Sequence, residues 1–159
     1  MGTSSNFASM SSEHLHLHAV TVLVEDYDAA ITHYVGDLGF TLVEDTTLSP
    51  EKRWVRVTPD PASGVSLLLA VATTEAQRAA MGQHAGGRVT FFLHTDNFTE
   101  TYGRLLARGV HMTEEPRHEP YGTVVVFEDR YGNRWDLIEP HDNVVYIAHD
   151  SPGCSPTSR

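Results

Sequence analysis

The sequence predicts an α+β protein built from two copies of a βαβββ unit, and three observations carry that reading. A shift of 70 residues superimposes the two halves of the chain without a gap. Leu23-Val24-Glu25-Asp26 falls on Leu93-His94-Thr95-Asp96, Gly39 on Gly109, and Glu44-Asp45 on Glu114-Glu115. In both halves a β-rich run ends at an acidic residue that can cap a following helix. In both, a glycine stands where that helix would end, because a left-handed residue is cheap there.

Taken in order, residues 1–13 are small and polar apart from Phe7 and Met10, and read as a flexible lead. His14, His16 and His18 alternate with Leu15 and Leu17, which are expected to pack inward and leave the histidines exposed. The first strand is Ala19–Val24. Asp26 caps a helix whose apolar face is Ala29, Ala30, Ile31 and Tyr34. Strands follow at Thr41–Glu44, Arg53–Thr58 and Val65–Val71, with a turn at Pro59-Asp60-Pro61. Residues 73–87 read as a linker. The second unit repeats the plan: strand Arg88–Leu93, then a helix capped by Asp96 with Phe98, Tyr102, Leu105 and Leu106 inward. Its later strands are His111–Glu114, Thr123–Glu128 and Arg134–Ile138, with Glu115–Gly122 as a loop and Arg130–Asn133 as a turn. One domain is expected over 14–140, with modules 14–72 and 88–140. A C-terminal extension (141–150) and a disordered tail (151–159) follow. The two small curved sheets are expected to pair into an open half-barrel whose concave side is a ligand-sized cleft.

Composition narrows the function. Eleven basic residues against 21 acidic ones give a net charge of −10, which repels a polyanion such as DNA, so no nucleic-acid partner is expected. The longest apolar run, around Val65–Ala72, is far too short to span a bilayer, and the N-terminus lacks a basic and apolar leader. A cytoplasmic protein with no membrane partner is the expectation. The single cysteine, Cys154, excludes a disulfide framework and any CxxC site. No phosphate loop, dinucleotide fingerprint, GxSxG elbow or HExxH occurs.

The segments VLVEDYDAAITHYVGDLGF (22–40) and VVVFEDRYGNRWDLIEP (124–140) resemble the vicinal oxygen chelate superfamily, which includes glyoxalase I, bleomycin-resistance proteins and extradiol dioxygenases. The resemblance implies four metal-ligand positions, two per half, and they fall on Ala19, Ser66, Val89 and Asp136. Only Asp136 is a family-type donor, and one carboxylate cannot hold a divalent ion that needs several N or O ligands. No cofactor is therefore expected, a divalent metal being the disfavoured alternative. The His14/His16/His18 cluster is a weaker metal candidate, since strand alternation from Ala19 would point His16 and His18 to the opposite face.

A small-molecule ligand must then be held by organic side chains. Trp54 can stack an aromatic or cationic group, and Arg56, two residues on, can clamp a carboxylate or stand solvated. Ser66 lies at a former ligand position. His84 and Arg88 sit in a Gly-rich connector that can approach a cleft rim. Arg117 and Tyr121 belong to a proline-stiffened loop that the resemblance places beside the cleft mouth. Asp136, partly desolvated, is the candidate catalytic base or a partner for a cationic ligand. The primary expectation is a metal-free binding protein of the bleomycin-resistance kind. The alternative is a lyase, isomerase or oxygenase using a rebuilt metal site or Asp136. A homodimer is expected, with Asn143–Ile147 covering an edge or contacting the partner.

Overall fold

A computed structural model describes residues 13–142, so Phe7, Met10, Asn143–Ile147 and Cys154 lie outside the described residues. The chain divides after Arg78 into two units, each with its own sheet.

In the first unit, strand β1 (Ala19–Val24) leads to helix α1 (Tyr27–Ile31), continued as a π-helix over Thr32–Asp37. Asp26 caps α1 as expected, its carboxylate accepting from the Ala29 N–H at 2.8 Å. Gly39, at φ 80°, follows the helical segment in the left-handed conformation foreseen for it. Strands β2 (Thr41–Ser49), β3 (Lys52–Thr58) and β4 (Ser66–Val71) complete a sheet in the order β1-β4-β3-β2. Val22, Val24, Val55, Val57, Leu67 and Leu69 alternate onto one face and are buried, and α1 packs against β3 and β4. The opposite, helix-distal face carries Ala19, Ser66, Leu68, Trp54 and Arg56.

The second unit runs β5 (Val89–His94), α3 (Phe98–Ala107), β6 (His111–Met112), β7 (Arg117–Glu119), β8 (Gly122–Glu128) and β9 (Arg134–Pro140). Its order, β5-β9-β8-β6, repeats that of the first sheet. Phe91, Phe127 and Trp135 stack beneath the helix side of this sheet, with Leu137 and Val125 fully buried beside them. The turn after β8 is fixed by buried Asp129. Its carboxylate accepts from the Tyr131 and Asn133 backbone N–H, from Asn133 Nδ2 and from Trp135 Nε1, at 2.9–3.3 Å.

Five sequence expectations need correction. Asn97, not Asp96, caps α3: its side chain accepts from the Glu100 N–H and donates back to the Glu100 carboxylate, a reciprocal pair one residue later than the repeat implies. The stretch read as a linker contains a helix, α2 (Glu75–Ala80). The loop 115–122 contains strand β7, so Arg117 stands on a sheet. Pro116 lacks an N–H and breaks the ladder between β6 and β7, and the Glu114 carboxylate accepts the Val126 N–H in the gap. Leu15 and Leu17 are 92% and 61% exposed, because residues 13–18 form no strand and have no sheet to face. Finally, a bulge at Thr90 breaks the strict 70-residue equivalence. Ala19 lies opposite Ser66, whereas Val89 lies opposite Arg134 and Asp136 lies opposite Phe92.

Candidate functional site

On the helix-distal face of the first sheet, the long β2–β3 hairpin sets Glu44 opposite Arg56 and Thr46 opposite Trp54. The Glu44 carboxylate accepts from Arg56 Nε at 2.8 Å and from Trp54 Nε1 at 3.2 Å. Arg56 Nη1 donates to Ser66 Oγ at 3.0 Å, and Ser66 Oγ donates to the His18 carbonyl at 3.2 Å. Arg56 is thus neither solvated nor a bare clamp; its side chain is part of a polar network that also fixes the Trp54 ring. Sequence reasoning missed Glu44. A hairpin turn at Ser49-Pro50-Glu51-Lys52 alone would set Glu44 opposite Val57; the register shift between Thr47 and Ser49 brings it opposite Arg56.

Two hollows open on this unit. One, of about 290 Å³, lies beside Ser66 and is lined by His16, His18, Val43, Arg56, Thr58 and Val65 among others. The expected parity of His16 and His18 is therefore overturned: strand alternation starts only at Ala19, and both reach the Arg56 side. The other, of about 520 Å³, lies where β3 and β4 part company. Their register stops at Val55↔Leu69, and the residues beyond, Arg53 and Trp54 against Ala70 and Val71, line the opening with Tyr27 and Gln77. Arg53 is held at its rim by Asp45 and Asp28 and lies over the Tyr27 ring. Those bonds push the Arg53 guanidinium above its ordinary pKa and hold the Asp45 carboxyl below its own.

On the second sheet, Asp136 stands on β9 between Phe92 of β5 and Val126 of β8. Its residue is 8% exposed and its Oδ1 is buried with no hydrogen-bond partner among the described residues. Burial pushes its carboxyl above the ordinary carboxylate range, Arg117 draws it back, and Glu114 pushes it further up. Arg117 donates to Glu114 at 2.9 Å and to Glu119 at 2.7 Å, and Tyr121 also bonds it. The structure therefore gathers three predicted residues, Asp136, Arg117 and Tyr121, with Glu119 of the same loop, and adds Glu114, which the sequence reading did not take as a site residue. It leaves His84 and Arg88 exposed on the turn before β5. Phe92, 66% exposed beside Asp136, is an apolar surface in the same neighbourhood.

The residues at the implied chelate positions do not fit a divalent metal. Ala19 and Val89 offer no lone pair, and the Ser66 hydroxyl is engaged by the guanidinium of Arg56, a cation where a metal would need an anion. Among the described residues no group of three or more His, Cys, Asp or Glu side chains is placed to hold a metal ion.

A family model described as the Glyoxalase/Bleomycin resistance protein/Dioxygenase superfamily matches residues 16–137. The chain belongs to that superfamily. An uncharacterised protein of Shewanella frigidimarina is 48% identical over 124 residues, covering 77% of this chain and 92% of the relative. The crystal structure of UcmS2 is 32% identical with a TM-score of 0.69, covering 80% of this chain and 99% of the other. TnmS3, an antibiotic binding protein from Streptomyces sp. CB03234, is 29% identical with a TM-score of 0.64, covering 80% and 98%. The superfamily's α+β plan, two sheets each following a strand–helix–strands order, is the plan of this chain. No helix among the described residues is long and apolar enough to cross a membrane.

Proposed function

We propose that this protein binds a small organic molecule, metabolite or drug-like, without a metal. The observation that carries the reading is the donor chemistry at the superfamily's chelate positions: two side chains without lone pairs and a serine bonded to an arginine. The likeness to an antibiotic binding protein supports it, as do Trp54 and Phe92 as apolar contact surfaces beside charged groups. Trp54, Arg56 and Ser66 on the first sheet, and Arg117, Tyr121 and Asp136 on the second, are the proposed contact residues, with His84 and Arg88 as outlying ones. The protein acts as a cytoplasmic homodimer, a reading supported by the exposed Leu15, Leu17 and Phe92 and by the edge positions of β1 and β5.

The test uses tag-free protein. Metal analysis is combined with thermal-shift and calorimetric titration against bleomycin and a panel of aromatic compounds of differing charge. The expected result is saturable binding that chelator treatment leaves unchanged. One tightly held divalent ion per chain, with turnover lost on chelation, would overturn the reading.

One observation favours a second reading. The unpartnered, buried oxygen of Asp136 is suited to accept a proton from an enolising substrate. On that reading the Asp136→Asn variant loses turnover while keeping its ligand affinity; unchanged turnover removes it.

A further inference from the structure

The 290 Å³ hollow beside Ser66 carries a charge arrangement that small-molecule binding alone does not specify. Arg56 enters it from β3 with its side chain only 16% exposed. A guanidinium has five N–H donors in a planar fork. Nε is spent on Glu44 and one Nη1 proton on Ser66 Oγ, which leaves three donors with no bond among the described residues. Such donors, largely withdrawn from water, favour a planar acceptor with two oxygens.

The remaining walls agree. His16 and His18 line the hollow with rings edge to face, 6.3 Å apart, and each offers a ring N–H. Thr58 Oγ1 is engaged by the Asp60 and Val65 carbonyls and does not compete for Arg56. Val43, Pro61 and Val65 are apolar, and no acidic side chain lines the opening. Glu44 balances Arg56 from the side, through Nε, rather than from within the hollow.

We propose that this hollow binds an oxyanion group, the carboxylate end of an organic ligand, with the Arg56 fork as its principal contact and His16 and His18 as flanking donors. The position that the superfamily's plan reserves for a cation has here become one that selects an anion. The proposal rests on the small-molecule reading above and adds the charge class of one end of that molecule.

The experiment follows the Arg56 Nε–H resonance by 1H–15N NMR in the full chain, assigned by its disappearance in Arg56→Lys. Benzoate, benzamide and inorganic phosphate are titrated separately. Benzoate is expected to shift the signal saturably, at least about tenfold more tightly than its neutral isostere benzamide. In Val43→Glu, which sets a carboxylate at the half-exposed rim, the benzoate response is expected to vanish while the rest of the spectrum keeps its fold. Phosphate matching benzoate would support the site and assign it to a free oxyanion. Equal responses to benzoate and benzamide, an undiminished benzoate response in Val43→Glu, or no response at all would overturn the proposal. If the compound panel still binds in any of those cases, the small-molecule reading stands and only this assignment fails.

Discussion

Asp136→Leu is expected to stabilise the protein at neutral pH. The carboxylate sits among Phe92, Val126 and Ile138 with one oxygen buried and unpartnered, and leucine has nearly the same shape without the polar group. An unsatisfied buried polar group costs about 1–3 kcal/mol. Arg117 recovers part of that cost, and the second oxygen, which is not among the buried unpartnered atoms, keeps contact with solvent. A net gain of about 1 kcal/mol remains, or roughly 2–4 °C in Tm for a chain of this size. The pH dependence follows from the raised carboxyl. Below its unfolded value the group is neutral in both states and the part of the cost that comes from its charge is absent; as pH rises through the folded value, that part of the stability is lost. The gain from leucine should therefore be full at pH 7.5 and shrink towards the ordinary carboxyl range in urea titrations of both proteins. A leucine variant that is less stable at pH 7.5, or a gain that is as large in acid, would refute the reasoning. Stabilisation together with loss of ligand binding is the pattern of a group retained for function.

Two further substitutions probe the frame of the second sheet. Asp129→Ala strands two backbone N–H groups, the Asn133 amide and the Trp135 indole in the interior, and should cost about 3–5 kcal/mol by denaturant unfolding, with Trp135 fluorescence reporting the loss. Gly82→Ala should cost about 2 kcal/mol or more by the same measure. Gly82 adopts φ 72°, and a Cβ there would collide with the Tyr131 carbonyl oxygen; an unchanged Tm would show that the turn can shift.

The fold was legible because its signals are local and occur twice. Asp26, Gly39 and Gly109 do what their chemistry suggests, and the strands lie close to where β-rich runs place them. What escaped depends on pairing. The slip at Thr90 is a bulge, which side-chain pattern does not reveal, so the equivalence of Ser66 and Asp136 failed although each lies on the expected strand. Pro116 signals a break, but only the sheet shows that the chain resumes pairing at Arg117. At the site, the residue types were readable and their partners were not. Glu44 holds Arg56 across a hairpin, which needs the register to be known, and Glu114 holds Arg117 three residues along, past the break at Pro116. His16 and His18 reach the Arg56 side since the coil before β1 does not extend its alternation.

The β2–β3 arm is joined to β4 by only three residue pairs, Val55 to Val57 against Leu67 to Leu69. Beyond them the tip is tethered by Arg53, which reaches back to Asp28 at the start of α1. The arm therefore resembles a clasp: a valine seam at its base that must survive as long as the core does, and a single charged latch further out. Adding salt weakens the latch without touching the seam. Amide protons from Thr46 to Lys52 should then exchange well before those of Val55 and Val57, so that the mouth between the parted strands can widen while the domain stays folded.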